Sequence, residues 1–70
     1  MFRAEVWHIR REVREASREF DDCAGASANL AVLLEVAGGW EVSRAETIRR
    51  LVAGETLVHK DRSYRVYCDA

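Results

Sequence analysis

Phe2-Arg3-Ala4-Glu5-Val6-Trp7-His8-Ile9-Arg10-Arg11-Glu12-Val13-Arg14-Glu15-Ala16-Ser17-Arg18-Glu19-Phe20 is the stretch on which the fold turns. Its apolar residues Phe2, Val6, Ile9, Val13, Ala16 and Phe20 recur at alternating intervals of four and three. That spacing draws one stripe down a helix and predicts a helix over about residues 2–20. Arg10, Arg11, Glu12, Arg14, Glu15, Arg18 and Glu19 fill the other faces, many at helix-neighbour distances. Neither Gly nor Pro interrupts the run, and Trp7 lies just off the stripe and widens it.

Asp21, Asp22 and Gly25 break this pattern, and either Asp, or Ser27, is a cap for a second helix over about residues 27–37. Leu30, Ala31, Val32, Leu33, Leu34 and Val36 make that helix apolar nearly all round, with Glu35 its only charge. Such a helix belongs at the centre of a domain, and Leu30, Leu33 and Leu34 are its expected core residues. Gly38 and Gly39 end it. Ser43-Arg44-Ala45-Glu46 has the form of a capping box opening a third helix, about 44–53, with Ile48, Leu51 and Val52 inward and Gly54 closing it. The period then changes. Thr56 to His59 and Tyr64 to Cys68 are β-branched and aromatic, and read as a hairpin over about 56–68 with the loop Lys60-Asp61-Arg62-Ser63. In that register His59 faces Tyr64 and Leu57 faces Val66. The expected fold is α+β, three helices followed by a C-terminal hairpin, in a single domain of residues 1–70.

With 49% hydrophobic and 33% charged residues the chain is too apolar for disorder, and at 70 residues it holds one thin core. The formal charge of −1 creates no global basic field. The balance is uneven: five Arg against eight carboxylates over residues 1–42, and six basic against four acidic groups over residues 43–70. A phosphate backbone would therefore meet the C-terminal part. No signal-like apolar run opens the chain, and no run approaches the ~20 residues of a membrane span. Two cysteines, Cys23 and Cys68, form no disulfide framework. The expectation is a soluble, cytoplasmic protein with free, buried thiols and no membrane contact.

Three helices and a hairpin, with a short turn between the second and third helices, follow the order of a winged helix-turn-helix. Val42-Ser43-Arg44-Ala45-Glu46-Thr47-Ile48-Arg49-Arg50-Leu51 resembles the opening of a recognition helix in bacterial winged-helix regulators. Ser43, Arg44, Glu46, Arg49, Leu51, Gly54 and Val58 also resemble the alpha-L RNA-binding motif of tyrosyl-tRNA synthetases and pseudouridine synthases. Both resemblances span about residues 30–66. They imply a regulator that contacts DNA or RNA with Arg44, Arg49 and Arg50 on the third helix and with Lys60, Arg62 and Arg65 in a wing.

His8 and His59 sit in no nucleophile, zinc or phosphate-loop motif, so neither an enzyme, a metal site nor a cofactor is expected. A non-catalytic binding module is, with nucleic acid the leading partner. The alternative is a small inhibitor or adaptor that docks an acidic face, with Glu12, Glu15 and Glu19, on a basic protein surface. Trp7 and Trp40 are its candidate anchors. The stripe over residues 2–20 is expected to pack onto the second helix; it is also a heptad, so a homodimer through the first helix is the alternative arrangement.

Overall fold

Residues 2–20 form a β-hairpin, not a helix. The structure, a computed structural model, describes residues 1–69. It runs β1 (Phe2–His8), β2 (Val13–Phe20), α1 (Cys23–Ala37), α2 (Arg44–Val52), β3 (Leu57–His59) and β4 (Arg62–Cys68). All four strands are antiparallel in one sheet of order β2-β1-β4-β3. The expected order of three helices and a hairpin is therefore corrected to a two-layer fold of two helices on one face of a four-stranded sheet. A homodimer seam along a first helix is corrected with it, since Phe2, Val6, Val13, Ala16 and Phe20 lie in strands and Ile9 in the turn between them.

The physical reason is that β3 and β4 alone would make a two-stranded ribbon, which is marginal in water. Adding β1 beside β4 supplies Ala4 and Val6 to the same apolar face as Tyr64, Val66 and Leu57. Within β1 the side chains alternate: Ala4 and Val6 are in the core, while Arg3, Glu5 and Trp7 turn to the opposite face. In β2 the phase slips once. Val6 pairs with Ala16 and Trp7 with Arg14, leaving Glu15 as the extra residue of a bulge. That slip lets the apolar residues of two strands mimic a helical spacing.

α1 begins earlier than the sequence suggested, because Asp22 is the cap and accepts a hydrogen bond from the Gly25 N–H. It packs on the sheet and on α2. Ala26, Leu30 and Leu34 join Leu51 of α2 in the core. Leu33 does not: it is 38% exposed, as Val32 and Val36 also are in greater measure. A helix in a two-layer fold has a sheet on one side and α2 on another, so its remaining side stays open. α2 opens where expected, with the Ser43 Oγ accepting from the Glu46 N–H at 3.2 Å. The second hairpin is tighter than expected. Lys60 (φ 50°) and Asp61 (φ 65°) alone make the turn, as a two-residue hairpin connection requires. His59 therefore faces Arg62, and Leu57 faces Tyr64. Among the described residues no helix is long and apolar enough to cross a membrane.

Candidate functional site

The helices cover one face of the sheet and leave the other to carry whatever the sequence places there. The pairing of β2, β1 and β4 arranges that face in three rows: Glu19-Arg3-Tyr67, Ser17-Glu5-Arg65 and Arg14-Trp7-Ser63. Its outline is roughly 14 Å along the strands and 10 Å across them. Glu5 occupies the centre, and although it lies on the helix-free face it is only 3% exposed.

Four donors drawn over its carboxylate bury it. Trp7 Nε1 and Arg65 Nε each donate to Oε1 at 3.3 Å. Arg14 Nη1 donates to Oε2 at 3.3 Å and the Tyr67 hydroxyl donates to the same oxygen at 3.2 Å. Burial pushes the Glu5 carboxyl up, but hydrogen bonds from Trp7, Arg14, Tyr67 and Arg65 together outweigh it and hold the pKa below the ordinary carboxylate range. The Arg65 guanidinium also stacks over the Tyr67 ring, 4.5 Å from its centre. Next to this cluster Arg3 donates through Nε to Asp69 at 2.9 Å and through Nη1 to the Ser17 hydroxyl at 2.8 Å, and it pairs with Glu19. Three arginines thus meet three carboxylates. The face carries an aromatic ring at one corner, Tyr67, and another midway along one border, Trp7, and its charges nearly cancel.

The residues expected to bind nucleic acid do not share one surface. Arg44 makes a two-pronged pair with Glu35, at 2.9 and 3.2 Å, and Arg49 makes another with Glu46, at 2.8 and 2.6 Å. Arg50 reaches the same Glu46 at 2.9 Å. Hydrogen bonds from Arg49 and then Arg50 lower the Glu46 carboxyl to about 2. Arg62 pairs with Glu15 at 2.6 and 3.2 Å, and the Lys60 ammonium donates to the Ala37 carbonyl at the end of α1. Arg65 lies on the other face of the sheet, against Glu5.

The acidic set is dispersed as well. Glu12 is in the β1–β2 turn with φ 55°, Glu15 lines a cleft on the helix side, and Glu19 is on the helix-free face. Trp7 is exposed on that same face. Trp40 is partly buried against the core, its Nε1 donating to Thr47 Oγ1 at 2.8 Å and its ring edge-on to His59.

His59 Nε2 lies 2.7 Å from the Gly38 carbonyl, and His8 Nδ1 accepts from the Arg11 N–H. Among the described residues no three His, Cys, Asp or Glu side chains gather to hold a metal. Both cysteines are free, but the expectation of two buried thiols is corrected: Cys23 is half-buried and Cys68 exposed. No protein-family model, curated protein or solved structure matches the chain.

Trp7 and Arg65 are legible in the sequence as candidates, whereas Arg3, Glu5, Arg14 and Tyr67 are not among the expected site residues. The signal was the alternation Arg3-Glu5-Trp7 and Arg65-Tyr67 against Ala4-Val6 and Tyr64-Val66. A period of two runs through both segments.

Proposed function

We propose that this protein is a non-catalytic binding module that docks the helix-free face of its sheet on a protein partner. The observation that carries the reading is the buried Glu5 carboxylate, which holds Trp7, Arg14, Arg65 and Tyr67 in one layer. Side chains fixed before association lose little rotamer freedom when a partner arrives. Trp, Tyr and Arg are also the residue types that dominate binding energy at protein interfaces. A carboxylate kept ionised and occupied by four donors is poorly suited to exchange protons with a substrate, so the cluster supports binding and not acid–base chemistry.

A nucleic-acid reading moved to this face would rest on two aromatic rings, Trp7 and Tyr67, and three arginines, Arg3, Arg14 and Arg65, which could stack unpaired bases. It is the weaker of the two. Each of those arginines faces a carboxylate, so a phosphate would have to displace an existing ion pair.

The test compares capture of cellular proteins by the parent and by two variants, with labelled single-stranded RNA and duplex DNA titrated in parallel at low salt. A partner retained by the parent, lost with Trp7→Ala/Arg14→Ala and kept with Arg49→Gln/Arg50→Gln is the expected result. Nucleic-acid binding weaker than ~100 μM should accompany it. Salt-sensitive binding to single strands that disappears in Trp7→Ala/Arg14→Ala would replace the protein partner with nucleic acid. Capture unaffected by that variant would move the site off this face.

A further inference from the structure

We infer that β2 pairs with β2 of a second copy of this chain, joining two four-stranded sheets into one of eight. β2 is an edge strand of eight residues, and among the described residues only β1 pairs with it. The opposite edge, β3, has three residues. Seven of the eight residues of β2 are exposed, and only Phe20 is partly covered. An edge this long is a template for another strand unless something blunts it. Mixed charge and a bulge are two features that usually do so. Here both become complementary when the strand meets itself.

The register follows from which side chains share a face. Facing residues of an antiparallel pair lie on the same side of the sheet, and a two-fold axis normal to the sheet preserves those sides. The pairing with β1 puts Val13, Ala16, Arg18 and Phe20 on the helix side of β2, and Arg14, Ser17 and Glu19 on the other. A two-fold axis at Ser17 sets Ser17 against Ser17 and Ala16 against Arg18 of the second copy. Glu15 is then again the extra residue, as it is against β1, so Arg14 meets Glu19 and Val13 meets Phe20. Every facing pair is on a common side, and Arg14 and Glu19, which pair with Glu5 and Arg3 within one copy, meet across the non-helix side with opposite sign and extend those ion pairs without displacing them. The bulged Glu15 falls beside Arg18 of the second copy.

The other centres fail. Without the bulge the Ser17 centre sets Glu15 against Glu19. A centre at Arg18 faces Arg18 with Arg18, and a centre at Ala16 leaves Arg14 against Ser17 with no acidic partner. Like charges directly opposite are unfavourable and opposite charges favourable. Only the bulged pairing centred on Ser17 gains from both. At the same margin of the fold an open cleft of about 470 Å³ runs between α1 and the sheet, bordered by Ala16, Leu33 and Val36. A second sheet laid along β2 would extend its floor.

Sedimentation velocity of the full chain from low micromolar to near-millimolar concentration tests the association. The expected result is conversion from the 8.0 kDa monomer to a species of twice that mass. Register is tested by oxidation in a background lacking Cys23 and Cys68. Ser17→Cys places two thiols on the axis, with Cα atoms ~4.5–5.5 Å apart, close enough for a disulfide. Glu19→Cys places them on the order of 15 Å apart along the strand direction, too far to bridge. Rapid cross-linking of the first variant and not of the second is expected. A monomer at every concentration overturns the inference. So does a dimer in which Ser17→Cys fails to cross-link or Glu19→Cys cross-links equally well.

Discussion

Glu5 illustrates how one residue can organise a surface. A carboxylate on a sheet face is ordinarily solvated, and burying it is unfavourable unless its oxygens are satisfied. Here both oxygens accept two hydrogen bonds each, and the donors come from β1, β2 and β4. Glu5→Gln keeps the shape but leaves Arg14 and Arg65 without their counter-charge. It should destabilise the protein by about 1–3 kcal/mol, measured by urea unfolding at neutral pH. The same variant should increase the mobility of the Trp7 ring, visible as faster relaxation of its indole N–H in NMR. None of this is local in sequence: Glu5 and Tyr67 are joined only when the first and last strands meet. That is why Trp7 was legible as a candidate anchor from its own chemistry, while the carboxylate that fixes it was not.

At the scale of elements, what is encoded locally could be read, and what is encoded by pairing could not. The Ser43 cap, the boundaries of α2 and the glycines after α1 depend on neighbours a few residues away, and they fall where the sequence places them. Residues 2–20 are different. A 4-3-4 spacing satisfies a helical stripe, but it equally satisfies two strands separated by a turn and phased by a bulge. The choice between them is made by β4, which needs a partner along its whole length. α1 gives the converse lesson: an apolar helix need not be central, and its Leu33 side faces the open cleft. Leu34→Ala should cost about 2–5 kcal/mol, since it removes a fully buried side chain from the core. Leu33→Ala should cost less than ~1 kcal/mol, because surface positions are tolerant. Chemical denaturation of the two variants side by side checks the ordering.

For the molecule as a whole, ion pairs distributed over both faces predict how it responds to acid. Glu5, Glu15 and Glu46 all have carboxyls lowered in the folded state. The unfolded chain therefore binds protons first as pH falls, and each of these groups favours folding above the ordinary carboxylate range. That contribution declines below about 4.5 and, for Glu46, is gone below about 2. Melting temperature should accordingly be flat near neutrality and fall between these limits. In Glu5→Gln the fall should be shallower, so that parent and variant converge in acid. Parallel thermal melts across that range provide the check, and a constant gap between the two would contradict the assignment.

The pairing of β1 with β4 also has a meaning in time. Residues 2–8 find their second neighbour in residues 62–68, so the middle of the sheet is closed by segments from opposite ends of this sequence. Contacts of such long sequence separation are costly to form early and slow the approach to the native state. On a ribosome, the β1–β2 hairpin and α1 would emerge while the strand that completes their core is still unmade. Until then Ala4, Val6, Leu30 and Leu34 have no closed interior to enter. The unfinished chain is left with an apolar surface and two open strand edges, the state in which a nascent protein is most exposed to chaperones and to aggregation.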